Sequence, residues 1–540
     1  MNFDPYYNPY PSHRSVIYGN KGMVATSQTL AAQAGLDILK KGGNAVDAAV
    51  ATAAALTVVE PTSNGIGSDT FAIVWIDGKM HGLNSSGYAP KSISIEAVRS
   101  MGHKEMPQNG ITPITVPGAP AAWAELSSRF GKLTLKQCLA PAIEYAKEGY
   151  PLSPVLAEIW HNSYLHYSKI KEEQTGQEYN HWFDTFAPNG KEALKAGELW
   201  KSVAHAETLA EIGETNAESF YRGRLANVIS DFMAKNGGFI TKSDLEEYTP
   251  QWVEPISANY RGYDVWEMPP NGQGLVTLIA LNVLKEFDIA NDNYEDACHK
   301  AFEAMKLAFT AGKEFITDPD FMTISVKDLL SEQYAEKLRC KITDTALEPT
   351  PISPHSGGTV YLCTADNDGN MVSLIQSNYN GFGSGIVIPG TGISMQNRGA
   401  DFKLDPTHAN ALLPRKRTYH TIIPGFLTKD GMPVGPFGVM GGYMQPQGHL
   451  QVIMNTVDYN LNPQMALDRP RWQWVGGKNF EVETDFPMEI CDQLKKRGHN
   501  VSIATRTEKF GRGQIIWRNP TNGVLCGGTE SRCDSQIAVW

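Results

Sequence analysis

The chain is 540 residues long, enough for a large core and, by length alone, for about three or four domains. Its 47 Lys and Arg stand against 58 Asp and Glu, a net charge of −11 that disfavours nonspecific binding to nucleic acid or an anionic membrane and points to a small-molecule or peptide-like substrate. Seven cysteines, scattered and never in a CxxC pair, suggest neither a disulfide framework nor a zinc site.

The opening MNFDPYYNPYPSHRSVIYGNKG has no basic start and no apolar centre of the kind a secretory signal needs, so a cytoplasmic location is expected. Thr29 to Lys41 is predicted as a helix ended by Gly42-Gly43, and Asn44 caps the next one. That second helix, AVDAAVATAAALTVV, carries Ala and Val on nearly every face, which predicts burial on several sides. It contains Asp47 and stops at Glu60-Pro61, so it is too short and too interrupted to span a bilayer, and no membrane partner is expected. Pro61 to Asp69 reads as a glycine-bearing loop before a hairpin of Thr70–Ile76 and Met80–Asn84 around Asp77-Gly78. The loop matches neither the GxxxxGK phosphate loop nor a GxGxxG between strand and helix, which argues against nucleotide binding.

Helical cladding is predicted over Ala119–Phe130, Leu135–Glu148, Leu152–Lys169, Ala204–Glu214, Ser219–Asn236 and Asp296–Phe315, interrupted by a strand region at Val253–Met268. His161 and His166 lie off the i, i+4 face of a metal pair and HExxH is missing from the sequence, so no metal and no other cofactor is expected. Ile342 to Gly358, ITDTALEPTPISPHSGG, has no apolar period and four breakers in its last nine residues. It is a loop in which a chain break costs little structure.

Thr359–Ala365 and Asn370–Gln376 are predicted strands joined by the turn Asp366-Asn-Asp-Gly369. Gly357-Gly358 leaves the backbone free to take strained angles just before a hydroxyl that could attack the preceding carbonyl. A threonine hydroxyl needs a base, and a free α-amino group on the same residue, with a reference pKa of about 7.7 to 8.0, can be that base. On spacing alone Thr359 is either a latent N-terminal nucleophile or the ordinary first residue of an edge strand. Further strands are predicted at Gly385–Pro389, Gly392–Gln396, Tyr419–Leu427 and Pro433–Val439, helices at Gln445–Thr456, Pro463–Leu467 and Pro487–Arg497, and three or four strands from Val501 to Trp540. This order suggests layered sheets covered by helices.

The segment SGGTVYLCTADNDGNMVSLIQSNYNGFGSGIVIPGTGISMQNRGADF resembles the part of γ-glutamyltransferases that starts at their processing threonine, in its D-x-D-G-N turn, its FG-x-G element and its PGTGI run. GMVATSQTLAAQAGLDILKKGGNAVDAAVATAAALTVVEP and GVMGG with the helix after it are similar to the same family, so the resemblance covers nearly the whole chain. It implies an α+β fold, the four-layer αββα sandwich of N-terminal nucleophile hydrolases. It also implies self-cleavage between Gly358 and Thr359 into fragments 1–358 and 359–540 that partner each other, interleaved in one unit. Thr359 would be the nucleophile, Ser377 would stand where a threonine usually hydrogen-bonds it, and Gly441 and Gly442 would supply an oxyanion hole. Tyr379, Arg398, Asp401, His420 and Thr421 would line the acyl pocket, where Asp401 would receive the α-ammonium of a glutamyl group.

Several positions depart from the family pattern. Ser86 stands where a carboxylate-gripping arginine is expected, Arg398 replaces an amide or acid beside Asp401, and His420-Thr421 replaces paired serines. Either Arg398 reads the carboxylate of an acyl group lacking the amino group, or it pairs with Asp401 and a γ-glutamyl group still binds. The thirteen residues between Phe402 and Lys416 are too few for the tyrosine-bearing lid of some members, so an open site is expected. The pocket looks closer to the branch holding cephalosporin or glutaryl acylases and oxamate amidohydrolase. The expected function is a self-processing amidohydrolase or acyltransferase acting on an amide of a small carboxylate-bearing acyl group; the alternative is an inactive member kept as a binding protein.

Overall fold

In the computed structural model, which describes residues 14–173, 176–188, 193–349 and 358–540, two seven-stranded sheets lie at the centre and every neighbouring pair of strands within them is antiparallel. The start of the expected breakable loop is described, but its 350–357 portion lies outside the described residues, as does the stretch 1–13 of the opening segment.

The first sheet runs Gln536–Val539, Gly22–Thr26, Gly358–Asp366, Met371–Tyr379, Asp69–Ile76, Lys79–Ser85, Gln251–Val253. The second runs Ile17–Gly19, Leu525–Thr529, Arg512–Arg518, Met432–Met440, Gly425–Lys429, Tyr263–Glu267, Ile256–Tyr260. Side chains alternate between the faces of a strand, and the Gly358–Asp366 strand shows the consequence. Val360 and Leu362 pack toward helices, whereas Tyr361 and Cys363 meet Ile422, Phe426 and Ile516 between the sheets.

The helix Ala45–Val59 covers the first sheet with all 15 of its residues buried, as its uniformly apolar surface predicts. Asn44 and Asp47 form a capping box at its start. Gly274–Leu284 and Met444–Val457 cover the second sheet through Val265, Leu427, Phe437, Val439 and Ile515, and Tyr294–Phe315 packs against Gly274–Leu284. The fold is therefore the expected α+β arrangement of helix, sheet, sheet and helix layers. No helix among the described residues is long and apolar enough to cross a membrane.

Local readings fail where tertiary bonding replaces regular ladders. The strand expected from Tyr419 begins only at Gly425, because the His420 backbone bonds to Asn271 and Gln273 and the Ile423 N–H goes to the Gln445 side chain instead of a ladder. The helix expected over Ser219–Asn236 is two, Glu218–Arg222 and Arg224–Lys235, broken where Gly223 leaves helical angles. The wholly buried strand Gly22–Thr26 has no alternation to betray it.

Candidate active site

Thr359 enters the first sheet at a register shift between Gly358 and Val360, and it is fully buried while Gly358 is half-buried. The next strand brings Ser377 to it. Ser377 Oγ donates to the Gly358 carbonyl at 2.8 Å, accepts the Tyr379 N–H at 2.8 Å and lies 3.0 Å from Thr359 Oγ1. Its single proton points at Gly358, so the Thr359 hydroxyl is the donor in the remaining contact. The positive φ of Tyr379, 77°, turns its N–H back onto Ser377.

Beyond Ser377 lies a buried polar cluster. Asp401 Oδ1 accepts the phenol protons of Tyr379 and Tyr443, each at 2.9 Å. Burial raises both phenols well above their usual range, so both stay proton donors. Arg398 lies over the Tyr379 ring at 4.2 Å, donates from Nη1 to Thr421 Oγ1 at 2.8 Å and sits 3.6 Å from Asp401 Oδ2 and 4.0 Å from Asp69 Oδ2. Its Nε and Nη2, like Asp401 Oδ2, have no hydrogen-bond partner.

Both nitrogens of His420 are committed. Nδ1 accepts the Ile422 N–H at 3.3 Å, so the ring proton sits on Nε2 and is donated to Asp69 at 2.9 Å. Burial holds the ring well below its usual pKa and raises the Asp69 carboxyl to about 7 against the pull of Arg398. Ser86 bonds to Asn84, and the guanidinium of Arg417 arrives from another element, donating from Nε to the Ser86 carbonyl at 3.2 Å and keeping Nη2 unpartnered.

Gly441 and Gly442 follow the strand Met432–Met440 with φ of 140° and 58°, a left-handed pair that side chains disfavour. Their carbonyls are taken by the Met444 and Gln445 N–H groups. Gly441 and Gly358 share a cavity of about 540 Å³ with Thr62, Asn380 and Arg512, while Arg398, Asp401, His420 and Thr421 lie outside it. These side chains and Thr359 are buried, and in the short 402–416 connection Phe402, Leu404 and Leu412 pack on Ala89, Ile93 and Val98.

Sequence reading missed Asp69, Tyr443 and Arg417, and also Lys313, whose ammonium donates to Tyr443 Oη. Asp69 was legible only as the end of a glycine-bearing loop, and Tyr443 as the residue after GVMGG. Among the described residues one cluster, His299, Glu303 and His499, could face a metal ion, but Glu303 already carries the Lys306 ammonium at 2.7 Å.

The profile described as Gamma-glutamyltranspeptidase matches residues 31–540. The chain belongs to the γ-glutamyltranspeptidase family. As a member of that family it is an enzyme, and its relatives are hydrolases. It is 36% identical over 533 residues to the glutathione hydrolase-like YwrD proenzyme of Bacillus subtilis, covering 97% of this chain and 99% of that one. It is 33% identical over 530 residues to the oxamate amidohydrolase proenzyme of Klebsiella pneumoniae, covering 96% and 98%. Among solved structures, a cephalosporin acylase from Bacillus halodurans superposes with a TM-score of 0.97 at 60% identity, covering 100% of this chain and 99% of that one.

Proposed function

We propose that this γ-glutamyltranspeptidase-family member is a self-processing amide hydrolase or acyltransferase whose nucleophile is Thr359, with Gly358–Thr359 the bond that is cut. Thr359 Oγ1 attacks the Gly358 carbonyl carbon, the C–N bond breaks as the departing nitrogen takes the proton, and water opens the resulting ester. Fragments 1–358 and 359–540 then stay interleaved. The freed α-amino group serves as base in turnover: Thr359 attacks a substrate amide, the amine leaves, and water or a second amine resolves the acyl-enzyme. The N–H groups of Gly441 and Gly442 hold the oxyanion.

The observation that carries this reading is the position of Ser377, which accepts a hydrogen bond from the nucleophile's hydroxyl and donates one to the carbonyl under attack. The names of the relatives, a glutathione hydrolase-like protein, an oxamate amidohydrolase and a cephalosporin acylase, support an amide with a small carboxylate-bearing acyl group. An ammonium bound at Asp401 Oδ2 would stand close to Arg398, and two like charges about 4 Å apart cost ~4 kcal/mol at an effective dielectric of about 20. The preferred acyl group therefore lacks the amino group, and Arg398 takes its carboxylate. The 3.6 Å Arg398–Asp401 pair favours a second reading, in which that pair is structural and a γ-glutamyl group binds.

The test is N-terminal sequencing of the smaller fragment, expected to begin TVYLC; any other start, or a single uncut chain, defeats the cleavage assignment. Thr359→Ala is expected to remain one chain without amidase activity, and retained turnover would exclude Thr359 as nucleophile.

A further inference from the structure

Lys313, on the helix Tyr294–Phe315, reaches the acyl pocket from the second helix layer. Its Nζ donates to Tyr443 Oη and sits 3.7 Å and 4.1 Å from the ring centroids of Tyr443 and Tyr419. Tyr443 passes its own proton to Asp401 Oδ1, where Tyr379 also donates. Asp401 is thus held from two sides, by Arg398 directly and by Lys313 through one phenol. A cation donating to a phenol oxygen polarises its O–H and strengthens the bond that O–H makes in turn.

We propose that Lys313 is a specificity-determining residue: acting through Tyr443, its charge compensates Asp401 and biases the acyl pocket toward a carboxylate without an adjacent ammonium. The inference rests on the functional reading above and adds a residue to it. The charged and titratable groups facing Lys313 are Asp401, Tyr419, Tyr443, Lys403 and His408. Burial lowers the ammonium to about 7 while Asp401 opposes the shift, so its charge is fullest on the acid side of neutrality.

The test compares kcat/KM for glutaryl and γ-glutamyl p-nitroanilides at about pH 6.5, where the Lys313 ammonium is mostly charged, in wild type, Lys313→Met, Lys313→Arg and Tyr443→Phe. Lys313→Met and Tyr443→Phe are expected to lower the glutaryl to γ-glutamyl ratio by about tenfold, one close charge contact in a partly screened site. Lys313→Arg is expected to keep the ratio. A purely structural lysine would depress both substrates equally, so an unchanged ratio in Lys313→Met overturns the inference while leaving the functional reading intact. Failure of the processed wild type to turn over either amide overturns that reading and the inference with it.

Discussion

Arg398 holds two buried guanidinium nitrogens without a hydrogen-bond acceptor, and Asp401, three residues on, keeps one carboxylate oxygen without a hydrogen-bond donor, 3.6 Å from Arg398 Nη1. Unpaired buried polar groups cost about 1–3 kcal/mol each, and a folded core seldom keeps three side by side without a use. A ligand carboxylate admitted there would match the two nitrogens in the forked geometry that arginine offers.

Arg398→Gln is expected to lower kcat/KM for a glutaryl amide by about ten- to a hundredfold, the worth of hydrogen bonds to a charged group. The γ-glutamyl amide is expected to lose less, because removing the guanidinium also removes its repulsion of an ammonium. Steady-state kinetics on both substrates checks this, and an unchanged preference means that Arg398 does not read the acyl carboxylate.

Ser377→Ala is expected to slow fragment formation by about 10²–10³-fold, the range found when one donor to a developing oxyanion is removed. The Gly358 carbonyl then loses its 2.8 Å donor and the Thr359 hydroxyl loses its acceptor. A denaturing-gel time course of the purified precursor reads the rate directly. Processing at the wild-type rate would make the Ser377 contact incidental.

The Lys313 ammonium, near 10.5 in an unfolded chain, titrates near 7 in the fold because burial disfavours its charge. Between those values the unfolded chain holds a proton that the folded chain lacks, so stability rises with pH across that window, and the penalty is full below it. In an uncut Thr359→Ala background, Lys313→Met is expected to remove that rise. Its stability relative to the parent should be most favourable below about pH 7 and should fall toward about pH 10. Denaturant midpoints at both ends check the slope, and a difference independent of pH would show that Lys313 titrates normally.

The sequence carried the layers and the strand that Thr359 begins because local signals and tertiary outcome agree there. Alanine and valine around the 45–59 helix demand burial on every face, and the Asp366–Gly369 turn fixes the hairpin that brings Ser377 to Thr359. The pocket was legible only in part. Arg398 and Asp401 stand together in one motif, but Asp69 lies 329 positions before Arg398 and Lys313 lies 130 before Tyr443. Their meeting is a product of sheet order and helix packing, which no local period encodes. His420 shows the other limit: its place in the family pattern suggested a ligand contact, while its neighbours commit both ring nitrogens to Asp69 and the Ile422 amide.

Gly441→Val tests the turn that follows the Met432–Met440 strand. At φ of 140° a side chain is strained whatever the space, and an added Cβ would stand 3.1 Å from Gly511 Cα, a backbone atom that cannot swing away. The strain rotates the Gly441 peptide and displaces the N–H groups assigned to the oxyanion, while Thr359, Ser377 and the acyl pocket keep their places. The expected result is a loss of about 10²-fold or more in kcat with KM little changed, because those donors act on charge that appears only in the transition state. Thermal melting separates this from unfolding: a variant that keeps most of its cooperative transition yet loses kcat supports the assignment. One that melts normally and turns over normally removes Gly441 from the oxyanion site.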